Sequence, residues 1–306
     1  MVNLTATPDA NYHFVNWTGN VGTIANVTAA TTTINMTGNY AITANFGFDM
    51  TFIDEVPDTN QPPTVTLVTT IPTNFCAPMA VANILEYWDD VANNVSAQNV
   101  TAGLPPETVA EYVGYFMDTN NTGSPLRANP GFPGTYNVDV LPGIVEFVRW
   151  DNGHPFPPAP PHALPAGKLG YNWGVVCTCD TDYDDTLDFY KNEIDNGRPL
   201  VVSFDYWNPV DKNIAVIDPE TGETISVFVW GDPIPGSLPG NPEEYWTYGD
   251  IGHAVTGVGY KLNWDPAGPA PLADYVIVHD NWATTPENVA IPWQNWMCLW
   301  QVIPGP

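Results

Sequence analysis

The stretch Asn74-Phe-Cys76-Ala-Pro78-Met-Ala-Val81-Ala-Asn-Ile84-Leu85-Glu-Tyr-Trp88 introduces the first helical pattern of the 306-residue chain. Val81, Ile84, Leu85 and Trp88 recur at i, i+3, i+4 and i+7, the spacing of one helix face. Pro78 suits the first helical turn, where its missing N–H costs nothing. The pattern predicts a helix over 77–90 with Cys76 at its N-terminus. There the helix dipole and the free N–H groups lower a thiol pKa.

Downstream, Pro105-Pro106-Glu107 leads into Val109, Tyr112, Val113 and Phe116 on a second helical stripe. A third helix is expected over 141–150, and the Pro-rich stretch 151–170 reads as an extended loop. Leu187, Tyr190 and Ile194 predict a fourth helix over 184–196, stopped by Gly197. Short β-branched and aromatic runs then predict strands at Pro199–Phe204, Ile225–Trp230, His253–Tyr260, Asp274–Val278 and Met297–Ile303. Helices first and strands later make an α+β arrangement of two layers meeting along a seam.

Upstream, residues 49–73 read as a linker, with Pro57, Pro62, Pro63 and Pro72 among Asp and Thr. Residues 1–48 hold ten Thr, eight Asn, one acid (Asp9) and no Lys or Arg, whereas the other 33 acids and all seven bases follow. That break sets two domains, 1–48 and 49–306. Alternation in Val2–Thr7, Tyr12–Trp17, Thr31–Met36 and Tyr40–Phe46 makes the first a small all-β module. Its segments Leu4-Thr-Ala-Thr-Pro8, Tyr12-His-Phe14, Trp17-Thr-Gly19 and Ile42-Thr-Ala-Asn-Phe46 resemble divergent B-repeat modules of bacterial surface proteins related to internalin. The resemblance implies a spacer or adhesive unit without chemistry of its own, in a chain cut from a longer protein.

Charge excludes several partners. With 34 Asp+Glu against 7 Lys+Arg the net charge is −27, and the first basic residue is Arg127. Nucleic-acid binding needs clustered Lys and Arg, so it is ruled out, and an anionic membrane is an equally poor partner. No apolar run reaches the roughly 18 residues of a span, so no membrane insertion is expected. Met1–Asn20 also lacks the basic start and apolar core of a leader. Asn-x-Ser/Thr sequons at Asn3, Asn16, Asn26, Asn35, Asn94, Asn99 and Asn120 offer glycan acceptors, which suits an extracellular or cell-surface protein. Cys177 and Cys179 are too close to pair comfortably, so a bridge from one of them to Cys298 is a candidate.

Thiol catalysis needs a stabilised Cys, an imidazole within reach, and a third group that holds the imidazole. Cys76 supplies the first. His253 opens Gly252-His-Ala-Val-Thr-Gly-Val-Gly-Tyr260, and Asp280 closes Tyr275-Val-Ile-Val-His-Asp280-Asn-Trp282. Adjacent strands would bring these two ends side by side. These segments, together with Asn74-Phe-Cys76-Ala-Pro-Met-Ala and Glu193-Ile-Asp-Asn-Gly197-Arg-Pro-Leu-Val-Val, resemble in order a papain-fold, C39-like cysteine peptidase of the bacteriocin-leader-processing type. Over 50–306 the resemblance implies a papain-like fold with a helical part and an antiparallel sheet. It also implies Cys76 as nucleophile, His253 as general base and acid, Asp280 as the orienting residue, and Trp282 shielding the Asp–His bond. The family carries an oxyanion Gln six residues before the Cys, and that position is Thr70 here, with Asn74 the nearest amide.

The expectation is a secreted or cell-surface peptidase acting on peptide or protein substrates, with no required cofactor. The rival is an inactive papain-like domain serving as a binding or structural module. Trp207, Trp230 and Trp246 are candidates to line a cleft. Asp180, Asp182, Asp184 and Asp188 match positions 1, 3, 5 and 9 of a calcium loop, which makes calcium a candidate ligand. Asp185 and Lys191 break that loop at positions 6 and 12, and a solvated acidic helix start explains the cluster better. His279, next to Asp280, should face the other side of its strand.

Overall fold

The computed structural model of the chain describes residues 1–8, 12–48, 50–61, 74–91, 101, 104–121, 134–149, 174–178, 183–204, 207, 209–218, 222–230, 252–264, 266, 273–293 and 297–303. In the N-terminal module β1 (Val2–Thr5) pairs antiparallel with β3 (Thr31–Ile34), and β2 (Tyr12–Gly19) with β4 (Ile42–Phe48). Their alternation buries Trp17 and Ile34, and the Trp17 indole N–H donates to Ala29 O at 2.9 Å.

The larger part is built on a sheet of nine described strands. From one edge they run β6 (Gly174–Thr178), β13 (Met297–Ile303), β7 (Leu200–Phe204), β10 (His253–Trp264), β11 (Ala273–His279), β12 (Asn288–Pro292), β9 (Thr224–Trp230) and β8 (Pro209–Ile217). The ninth, β5 (Thr51–Phe52), pairs with β10. All described pairings are antiparallel except β12 with β9. This is a mixed α/β architecture, with a large sheet following small N-terminal sheets.

Helices cover both faces. Residues α1 (Cys76–Glu86), α2 (Pro106–Phe116) and α3 (Asn137–Arg149) enclose a core with Val201, Ala254, Trp300 and Val302. Helix α4 (Tyr183–Asp195) packs Leu187, Tyr190 and Ile194 on the opposite face, with Leu200, Val202, Val255 and Ile277. The switch from Val201 to Val202, and from Ala254 to Val255, is the two-residue alternation of strands covered on both sides.

Sequence alone assigns α1 a single apolar stripe, but every residue from Ala77 to Leu85 is buried. It is a central helix, held between α2 and the sheet, and its last turn passes into a π-helical turn at Tyr87–Val91. Close approach is allowed by Gly114 of α2, where an added Cβ would lie 2.4 Å from the Phe75 ring. Helix α3 starts at Asn137 rather than 141. Pro142 leaves the Val138 carbonyl without its helical partner, which is tolerable because Val138 is 75 % exposed.

The linker assignment for 49–73 needs correction. Thr51 and Phe52 pair with Tyr260 and Gly259, Ile53 and Val56 are buried, and the Gln61 N–H donates to Asn281 O at 2.8 Å. Residues 50–61 are thus part of the domain, while 62–73 lie outside the described residues, as does the whole Pro-rich stretch 151–170. Gly259 makes this docking possible, because a Cβ there would meet Thr51 O at 2.6 Å. The strands β6, β8 and β12 were not expected from the sequence either. β8 is a largely exposed edge strand, interrupted at Asn213 with φ 56°, and β12 is five residues ending in Pro292.

Candidate functional site

Cys76 is the first residue of α1 and its thiol is free. Phe75, buried beneath it, accepts the Met79 N–H through its carbonyl at 3.0 Å and starts the helix. Burial pushes the thiol pKa up, while the backbone N–H groups of Ala254, Ala77 and Cys76 itself pull it down. Burial wins. The lowering expected from the helix terminus is therefore outweighed, and the thiol is neutral at pH 7. Ala254 is the chain neighbour of His253, so the N-terminus of α1 lies against the start of β10.

His253 is buried, its ring in contact with Trp207 and Trp282 at 4.8 Å each between centroids, and these two indoles also meet edge to face at 6.3 Å. Its Nε2 lies 2.7 Å from the Asp280 backbone carbonyl. A carbonyl only accepts, so Nε2 carries the proton and Nδ1 keeps the lone pair. Burial lowers the imidazole pKa to about 4, against the raising effect of the Asp280 bond. At neutral pH it is an uncharged base. Trp282 packs on the ring with the two planes inclined at 41°.

Asp280 differs from expectation. Its main-chain oxygen, not its carboxylate, holds His253. The carboxylate Oδ1 instead accepts the Trp282 N–H at 3.0 Å and the Thr285 hydroxyl at 2.5 Å. The strand ends here and Asn281 takes φ 61°, which folds the next residues back over the carboxylate. Oδ2 is buried with no hydrogen-bond partner, and burial raises the Asp280 pKa to about 6. Among the described residues no hydrogen bond joins Cys76 Sγ to the His253 ring.

Asp58 belongs to the same neighbourhood and was not foreseen, because it falls in the stretch read as linker. Burial, then the charges of Asp280 and Glu287, raise its pKa to about 7, and its Oδ1 is buried without a partner. Its neighbours are fixed on either side. The Pro57 carbonyl contacts His279 Nδ1 at 3.2 Å, and the Thr59 N–H donates to Asn83 Oδ1 at 3.2 Å. His279 also meets Asn288 Oδ1 through Nε2 at 2.9 Å.

Other sequence candidates are dispersed. Asn74 is exposed and Thr70 lies outside the described residues. Asp180 and Asp182 lie outside them too, the Asp184 side chain is not described, and exposed Asp188 pairs with Lys191 at 3.0 Å. Among the described residues no three His, Cys, Asp or Glu side chains cluster as a metal site. Trp207 packs on His253 at the site, and Trp230 stands 5.8 Å from Trp207 and donates its indole N–H to Pro292 O at 2.8 Å. Trp246 is outside the described residues. Cys298 is disulfide-bonded, while the side chains of Cys177 and Cys179 lie outside the described ones. Of the sequons, Asn3, Asn26 and Asn35 are exposed, but Asn120 is buried with its amide oxygen accepting the Gly134 N–H at 2.7 Å. That position is closed to a glycan. No described helix is long and apolar enough to cross a membrane.

Comparison with known proteins bears on the first domain. Residues 1–48 match the family model described as the divergent InlB B-repeat domain, which bounds the module at the composition break. Modules of this kind are typical of surface proteins. No curated protein and no solved structure matches the chain significantly.

Proposed function

We propose that residues 49–306 form a papain-like cysteine peptidase, carried behind a B-repeat spacer on an extracellular or cell-surface protein. The carrying observation is the meeting of a free Cys76 thiol at a helix N-terminus with the Ala254 N–H, one residue from an imidazole locked in its Nε2–H tautomer. In the reaction, His253 Nδ1 takes the thiol proton as Cys76 Sγ bonds to the substrate carbonyl carbon. The same proton passes to the leaving amine as the C–N bond breaks. Water then hydrolyses the thioester with His253 again as base. Asp280 acts through its carbonyl, which stabilises the imidazolium formed in each step. The Cys76 and Ala77 N–H groups, which already approach the thiol, would serve the oxyanion in place of a side-chain amide. An acidic domain favours basic or neutral peptide substrates by steering.

The inactive reading keeps one specific support: the thiol and imidazole share no hydrogen bond and both rest neutral. One experiment separates the two. Folded protein is treated with a peptidyl epoxysuccinate and assayed on unstructured peptides, alongside Cys76→Ala and His253→Ala. The peptidase reading expects stoichiometric modification of Cys76, and turnover that falls about 10²- to 10⁴-fold in His253→Ala. An unmodified Cys76 with no cleavage hands the domain to the inactive reading.

A further inference from the structure

Helix α1 presents a second side chain toward the turn that follows β11. Asn83 stands seven residues after Cys76, two helical turns along, and is fully buried. Its Oδ1 accepts the Thr59 N–H at 3.2 Å, and its Nδ2 donates to Asn281 Oδ1 at 2.9 Å. Asn281, also fully buried, donates through Nδ2 to Ala254 O at 3.4 Å, while its own carbonyl accepts the Gln61 N–H at 2.8 Å. The amide pair thus ties the Cys76 helix, the 59–61 segment, the residue after Asp280 and the residue after His253 into one chain of bonds.

We propose that Asn83 and Asn281 are positioning residues, which hold the Asp280 carbonyl on His253 and the start of β10 against the Cys76 helix; the inference rests on the peptidase reading. Two buried amides cost more to bury than an apolar pair of the same volume would. What they add is direction. Asn281 adopts φ 61°, a left-handed conformation that Asn tolerates better than most residues, and its side chain fixes the turn on which the Asp280 carbonyl depends. The links lie side by side: Asp280 O to His253 Nε2, and Asn281 Nδ2 to Ala254 O. Cutting the amide pair frees the turn, and with it the hydrogen bond that sets the imidazole tautomer.

The test uses the full chain and imidazole ¹H–¹⁵N NMR at pH 7, with peptide turnover measured in parallel. Wild type should show His253 as the Nε2–H tautomer with slow proton exchange. Folded Asn83→Ala should exchange that proton at least about tenfold faster. Its kcat should fall about 10- to 100-fold, with KM little changed. Asn281→Asp keeps an acceptor for Asn83 but loses the donor to Ala254, and should show the same direction of change. An unaltered imidazole spectrum and kcat in folded variants, with only a lower Tm, leaves the pair a mere packing feature and overturns the proposal. Wild type supplies a reading that needs no variant. The side-chain amide protons of Asn83 and Asn281 should exchange far more slowly than those of exposed Asn side chains, and solvent-like exchange refutes the network. If wild type cleaves no peptide, the peptidase reading falls, while the imidazole spectra still decide the positioning role.

Discussion

Asp58→Asn should stabilise the protein above pH 7 and change it little near pH 4. Burial, and then the charges of Asp280 and Glu287, move the Asp58 pKa from 3.8 to about 7. A carboxyl raised in the folded state holds its proton there longer than in the unfolded chain. Its stabilisation is whole below about pH 4 and is lost as pH rises through about 7. At about 1.4 kcal/mol per pH step, the span amounts to about 4 kcal/mol. Asp58 is only half-buried, and solvent screening brings the expectation to about 2 kcal/mol. The neutral amide escapes this loss and keeps an oxygen for the Asn281 N–H that bonds Asp58. His253 contributes with the opposite sign: lowered from 6.5 to about 4, it removes stability as pH falls through that window. That contribution is common to both proteins, so their difference reports Asp58 together with its charge coupling to Asp280 and Glu287. Urea unfolding at pH 4.5, 6 and 8 measures it. A stability difference that stays constant over these three pH values would refute the reasoning, since a packing change has no such window.

Two further outcomes concern stability away from the site. Arg198 binds Glu193 through two hydrogen bonds of 2.6 and 2.8 Å, and Glu193 is buried and bonded to Gln301 as well. Arg198→Ala leaves that carboxylate uncompensated, and a loss of about 3 kcal/mol in denaturant unfolding is expected; less than about 1 kcal/mol would show the carboxylate to be well solvated. Gly257→Ala places a Cβ 2.6 Å from the Tyr190 ring, whose hydroxyl is tied to Gly259 O at 2.8 Å and Ile277 O at 3.1 Å. The ring has little room to yield, so thermal unfolding should reveal a loss of about 1–3 kcal/mol, and an unchanged Tm would mean that β10 shifts freely.

Legibility followed the locality of each signal. The helix after Cys76, the stripe of α2, the Gly197 stop of α4 (φ 67°) and the run of β13 were readable because periodicity and turn chemistry act over a few residues. Glu193 and Arg198 were visible as a motif, but their ion pair across the helix end was not. Strand β5 was hidden for a different reason. Two residues amid Pro and Asp carry no pattern, and they become a strand only because β10 offers Gly259 opposite Phe52. With that segment went Asp58, the Thr59 contact to Asn83 and the Gln61 contact to Asn281.

Sequence by itself determined the acidic character of the chain, the break after residue 48, the order of its main elements, and Cys76, His253 and Asp280 as candidate site residues. All of these rest on composition or on neighbours along the chain. Tertiary structure alone decided how each of those three residues is held. A thiol at a helix end is raised rather than lowered because desolvation outweighs the N–H groups around it. His253 is held by a backbone carbonyl rather than a carboxylate because Asn281 turns the chain where it does. Both results depend on burial and on contacts between residues nearly 200 positions apart, such as Asn83 and Asn281, and no local pattern encodes those.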